Sequence, residues 1–171
     1  MGLHTRSPEF ADKLSQLRLK IAPIVHLETG LPPPEFPSNL LSLFLLTESD
    51  LDSMAHYYSQ VTPDRLTYAY PQTMDWNRPI LERPRPGEPP ECRLSDYERL
   101  RVKMRMFAKF IGMKGAETPR WEMERQMELW GRQMEDWVRR EKEEEEVGLE
   151  DVRGLECVER EENRDHGLGF D

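Results

Sequence analysis

SDYERLRVKMRMFAKFIG, residues Ser95–Gly112, commits this chain to helices. Ser95 with Glu98 three residues on is a complete capping box, in which each side chain satisfies a backbone N–H that the first helical turn leaves without a partner. Tyr97, Leu100, Met104, Phe107 and Ile111 then recur every three or four residues, the period of one helical face. Gly112 and Gly115 stop the helix. Arg99, Arg101, Lys103, Arg105 and Lys109 occupy the rest of its circumference, which predicts an apolar side turned inward and a basic back in water. A basic amphipathic helix of this kind suits an acidic partner, and Arg99, Arg101, Arg105 and Lys109 are the candidate contact residues.

Downstream, Thr118-Pro119 opens the longest helix, and Met123, Met127, Trp130, Met134 and Trp137 line one side of it. Glu128 with Arg132 and Glu135 with Arg139 are four apart and support that helix by a few tenths of a kcal/mol each. The stripe stops at Trp137, since its next positions are Glu141 and Glu144. Met127, Trp130, Met134 and Trp137 are therefore expected to pack on their own domain, or else to form a partner groove or the seam of a homodimer through the 119–140 helix.

Upstream the signals are punctuated by proline. Ser7-Pro8 starts a helix with Phe10, Leu14, Leu17 and Ile21 on one face, and Pro23 ends it. The run Pro32-Pro33-Pro34 enforces an extended connector. Pro37-Ser38 starts a short helix through Leu40, Leu41, Phe44 and Leu45, apolar nearly all round and so expected to be the most buried element. Thr47–Asp50 resembles a capping box and opens a helix with Leu51, Met54, Ala55 and Tyr58 inward. Residues 71–94 hold six prolines and read as one long loop, with Trp76 and Ile80 fixing part of it to the body.

These elements make an all-α protein of about five helices in one domain over residues 7–140. The proline-rich loop 71–94 lies within it, and a mobile, largely disordered acidic tail covers 141–171. Leu, Val, Phe and Ile together supply 37 of 171 residues, so the core is thin. Charge is segregated: net +4 over 95–120, against thirteen acidic and four basic residues from Glu141 on. Such a tail cannot bury enough apolar surface to offset its ordering entropy, and it is expected to fold back at times over the basic helix.

The overall charge of −9 argues against sequence-independent nucleic-acid binding, which needs a basic surface. The longest apolar run, Leu43–Leu46, is far short of a membrane span. No apolar stretch suited to a secretory signal stands near Met1, and two scattered cysteines, Cys92 and Cys157, do not make a disulfide framework, so an intracellular, cytoplasmic or nuclear, protein is expected.

The stretches Pro34–Pro63 (PEFPSNLLSLFLLTESDLDSMAHYYSQVTP) and Lys109–Pro119 (KFIGMKGAETP) resemble a group of small helical proteins of filamentous fungi. The resemblance spans roughly residues 7–120. It implies one helical domain, and no activity, cofactor or catalytic residue.

Chemistry-bearing motifs are few. His56 follows Asp52 by one helical turn, a spacing at which a carboxylate can orient an imidazole. His4, His26 and His166 show no metal-ligand spacing, Asp50-Leu51-Asp52 lacks the glycine and distal glutamate of a calcium loop, and the glycines form no phosphate cradle. Arg83-Pro84-Arg85-Pro86-Gly87-Glu88-Pro89 has arginine three before a P-x-x-P unit, the form of an SH3 ligand, although Gly87 and Glu88 oppose its extended conformation. The expectation is a non-catalytic interaction or regulatory protein with a protein partner and no cofactor or metal. The alternative is a small cofactor-free enzyme with a pocket around His56 and the nearby tyrosines.

Overall fold

A computed structural model describes residues 8–165, with side chains to 143. Five α-helices occur in it: α1 (Pro8–Leu17), α2 (Leu40–Phe44), α3 (Glu48–Tyr57), α4 (Asp96–Phe110) and α5 (Arg120–Asp165). Short 3-10 turns at Thr67–Ala69, Pro79–Leu81 and Pro90–Cys92 punctuate the segment between α3 and α4. Among the described residues there is no β-strand, only an isolated bridge between Lys20 and Asn39. The all-α reading holds. The chain divides into two compact units, Met1–Gln126 and Met127–Asp171. The backbone from 141 to 165 continues α5 as helix, while the tail's expected mobility falls, from 144 on, outside the described side chains.

Helix starts follow the caps. Ser95 Oγ accepts from the Glu98 amide and Glu98 Oε2 accepts from the Ser95 amide at 2.9 Å. Thr47 and Asp50 make the same reciprocal pair at α3, so aspartate serves as well as glutamate there. At α2 the cap is Asn39, one residue beyond the expected Ser38. Gly112 and Gly115 take φ of +78° and +80°, values that favour glycine, and turn the chain out of α4.

The core of the first unit departs from the sequence reading in two places. Residues 70–94 are not an excursion pinned at two points. Tyr70, Met74, Trp76, Ile80, Leu81, Cys92 and Leu94 are all buried, alongside Leu51, Met54, Ala55 and Tyr58 of α3 and Val102, Met106, Phe107 and Phe110 of α4. Gln60 holds this segment in place. Its buried amide donates to the carbonyls of Tyr58 and Thr67, and its Oε1 accepts from the Met74 amide at 2.9 Å.

The second departure is α2. Only Leu43 of the helix is buried, and Phe44 and the following Leu45 are 57% and 70% exposed. A five-residue helix can press one side on the core, and among the described residues of the first unit none covers Phe44 and Leu45 on the other side. Likewise α1 buries no residue, and Phe10 is exposed.

Candidate functional site

Helix α4 is turned relative to the expected phase. Its buried residues are Arg99, Val102, Lys103, Met106, Phe107 and Phe110, whereas Tyr97 is 68% exposed. The inward face is displaced by about one residue, a rotation of roughly 100°. The cause is two buried cations. Arg99 Nε donates to Glu48 Oε1 at 2.7 Å and its Nη2 to Asp96 Oδ1 at 2.5 Å, while Lys103 Nζ donates to Glu48 Oε1 at 2.8 Å and Asp52 Oδ1 at 2.7 Å. Glu48 opens α3, where the helix dipole also favours an anion. Hydrogen bonding from Arg99, aided by Lys103, outweighs burial and holds the Glu48 carboxyl down to about pKa 2. Asp52 Oδ1 also accepts from Trp76 Nε1 at 2.8 Å, which ties the 70–94 segment to α3 and α4.

This arrangement divides the predicted basic set. Arg99 belongs to the internal ion cluster. Arg105 is directed to Glu122, with Nε and Nη2 donating to its two oxygens at 2.6 and 2.8 Å. Arg101 and Lys109 reach the surface. The Arg101 guanidinium stands 4.4 Å from the Trp121 ring centre and 5.6 Å from that of Tyr97, so two aromatic faces meet the charged group itself.

The side of α4 that rotates out of the core forms a groove with α2 and the Met113–Ala116 turn. It encloses about 500 Å³, with Phe44, Tyr97 and Met104 among its apolar walls and Met113, Lys114 and Arg101 beside them. Three cations and no carboxylate line it. Phe44, Met113 and Lys114 are absent from the sequence-derived set. A signal existed for Phe44 alone: it stands in four consecutive apolar residues, Leu43–Leu46, more than one short element can bury.

The histidine site takes a different form from the expected one. His56 is exposed, and the Asp52 oxygen described above points at Lys103 and Trp76. The neighbouring tyrosines serve the connector that follows α1: Tyr57 Oη donates to the Leu31 carbonyl and Tyr58 Oη to that of Ile24 at 2.7 Å. The imidazole beside Tyr57 is that of His26, with ring centres 5.2 Å apart. Burial, and the phenols of Tyr70 and Tyr57, push the Tyr58 hydroxyl well above its ordinary pKa, as suits a structural donor. The Arg83–Pro86 run is exposed, but Gly87 at φ +82° and the Glu88 amide donating to the Arg85 carbonyl make a turn there instead of an extended ligand.

In the second unit, Met127, Trp130, Met134 and Trp137 share one face of α5, and all are exposed. The expectation that they pack on their own domain is not met. The charges flanking them pair along the helix, Glu128 with Arg132 and Asp136 with Arg140. Among the described residues no group of His, Cys, Asp and Glu is arranged to hold a metal, and no helix is long and apolar enough to cross a membrane. No protein-family model matches the chain, and no curated protein or solved structure matches it either.

Proposed function

We propose that the protein is a non-catalytic interaction module whose α2–α4 groove takes an acidic amphipathic segment of a partner protein. One observation carries this reading: an exposed apolar trough, with Phe44, Tyr97 and Met104 in its walls, is lined by no carboxylate and by Arg101 and Lys114, its third cation Arg105 being already paired with Glu122. Helical segments that dock in grooves supply apolar anchors at three- and four-residue spacing. Here acidic residues beside those anchors meet Arg101, already oriented on Trp121, and Lys114. Charge at such a rim governs choice of partner and encounter rate more than affinity.

The test uses two synthetic helical peptides with the same leucine pattern, one with glutamate and one with lysine elsewhere. Methyl NMR of the full chain should show the Met104 and Met113 signals moving with the acidic peptide only. Added salt, or the double substitution Arg101→Glu with Lys114→Glu, should weaken that response. Equal response to both peptides, or none to the acidic one, sinks the reading.

A further inference from the structure

The row Met127, Trp130, Met134, Trp137 is exposed along its whole length, with Trp130 at 57% and Trp137 at 59%. Its spacing of three, four and three is that of a two-helix seam. We infer that this face is an interface between two copies of the chain, with the two α5 helices running antiparallel.

Three observations choose that occupant and that orientation. The first is register. An antiparallel pair centred on residue 132 sets Trp130 against Met134 of the second copy and Met127 against Trp137 of the second copy. Each of the four layers from Met127 to Trp137 then joins an indole to a thioether, a favourable contact for the polarizable sulfur, while Met123 falls opposite Glu141 of the second copy. A parallel pair would stack like on like. The pattern is thus complementary to itself under a two-fold rotation, as an isologous interface requires.

The second is Gly131. Glycine inside a helix is destabilising by up to about 1 kcal/mol relative to alanine. A Cβ at 131 would meet no described atom beyond its own stretch of helix within 4 Å, so no packing among the described residues asks for its absence. It lies on the edge of the row, next to Met127 and Met134. In the antiparallel pair it comes beside Gly131 of the second copy, where two missing side chains let the backbones approach.

The third is charge. The run Glu141-Lys142-Glu143-Glu144-Glu145-Glu146 follows the row directly. A parallel pair would set two such runs side by side. In the antiparallel pair the two Glu141 positions are about 27 Å apart along the axis at 1.5 Å per residue. That separation exceeds the screening length of about 8 Å at physiological salt. Two indoles, two thioethers and Val138 offer at most on the order of 600 Å² per copy, so a pair buries up to about 1,200 Å², against the ~1,000 Å² that a specific interface needs.

Sedimentation equilibrium of the full chain from 1 to 200 µM tests the association, with circular dichroism to show that variants keep their helix. A monomer–dimer equilibrium is expected, weakened at least tenfold by Trp130→Glu and by Met134→Glu. The wild-type chain remaining monomeric throughout, or dimers indifferent to both substitutions, overturns the proposal. Orientation is read by spin labels on Lys142→Cys in a chain carrying Cys92→Ser and Cys157→Ser. A label separation of about 30 Å or more supports the antiparallel pair, and one below about 20 Å overturns it.

Discussion

Glu48 is the residue on which the first unit's electrostatics turn. It accepts from Arg99 and Lys103 together, and both cations are buried. Glu48→Gln keeps the shape and removes the anion, leaving two cations without their principal counter-charge. Breaking a buried pair in this way costs about 3–5 kcal/mol, and chemical denaturation should read the lower part of that range because Asp52 and Asp96 remain. The pH dependence has a definite sign. The Glu48 pKa lies near 2 in the folded chain and near 4.5 when unfolded, so its stabilisation is fully present above about pH 4.5 and is lost as pH falls toward 2. Wild-type stability should decline across that window, and Glu48→Gln should flatten the decline; parallel profiles for the two proteins would show that Glu48 is not the titrating group. Gln60 is the second such residue. Gln60→Ala leaves the Met74 amide without its acceptor and frees the carbonyls of Tyr58 and Thr67, a loss of about 2 kcal/mol with hydrogen-exchange protection falling first at Met74.

At the scale of elements, helix starts were legible, and so was the phase of α3, whose Leu51, Met54 and Ala55 are buried with Tyr58 as expected, but the phase of α4 was not. Ser95 with Glu98 and Thr47 with Asp50 are local patterns whose bonds close within four residues. Ser95→Ala should therefore cost about 1 kcal/mol. The phase of α4 depends on Glu48 and Asp52, about fifty residues away in the chain, and a reading that sends arginine and lysine to water turns the helix by one position. Substitution separates the two phases. Phe107→Ala should cost about 3–5 kcal/mol because Phe107 is fully buried, whereas Tyr97→Ala, on the exposed side, should stay within about 0.5 kcal/mol. Comparable losses at both positions would restore the stripe that the sequence alone suggests. The candidate groove was half legible for the same reason: Tyr97, Met104 and Arg101 stand out as periodic residues, but their union with Phe44 and Met113 is a tertiary fact.

Across the whole molecule, the two units differ in what local reasoning can reach. The face of α5 in Met127–Asp171 is written in helical period alone, so its residues were named from sequence, although not their exposure. The first unit draws much of its core from a stretch with no regular period, where proline content suggested a surface loop. Limited proteolysis distinguishes a loop that hangs free from one that is built in. Trypsin can cut residues 71–94 only after Arg93, because Arg78, Arg83 and Arg85 each precede proline, and it should spare that bond, since the Arg93 guanidinium is buried against Glu88 and the Pro79 carbonyl. Early cleavage at Arg93 would mean that Cys92 and Leu94 are not held as described.

The Gln60 clamp has a consequence for anyone who would alter this chain. Proline-rich connections are the usual choice for inserting a reporter, splicing in a tag or opening new termini by circular permutation. Here such an insertion between Met74 and Leu81 would pull apart a buried glutamine, an indole and three aliphatic side chains that the helices cannot replace. The exposed turn from Arg83 to Gly87 lies in the longest run of the segment where added chain would displace no buried group. It is therefore the widest port for engineering between α3 and α4, and still only a few residues long.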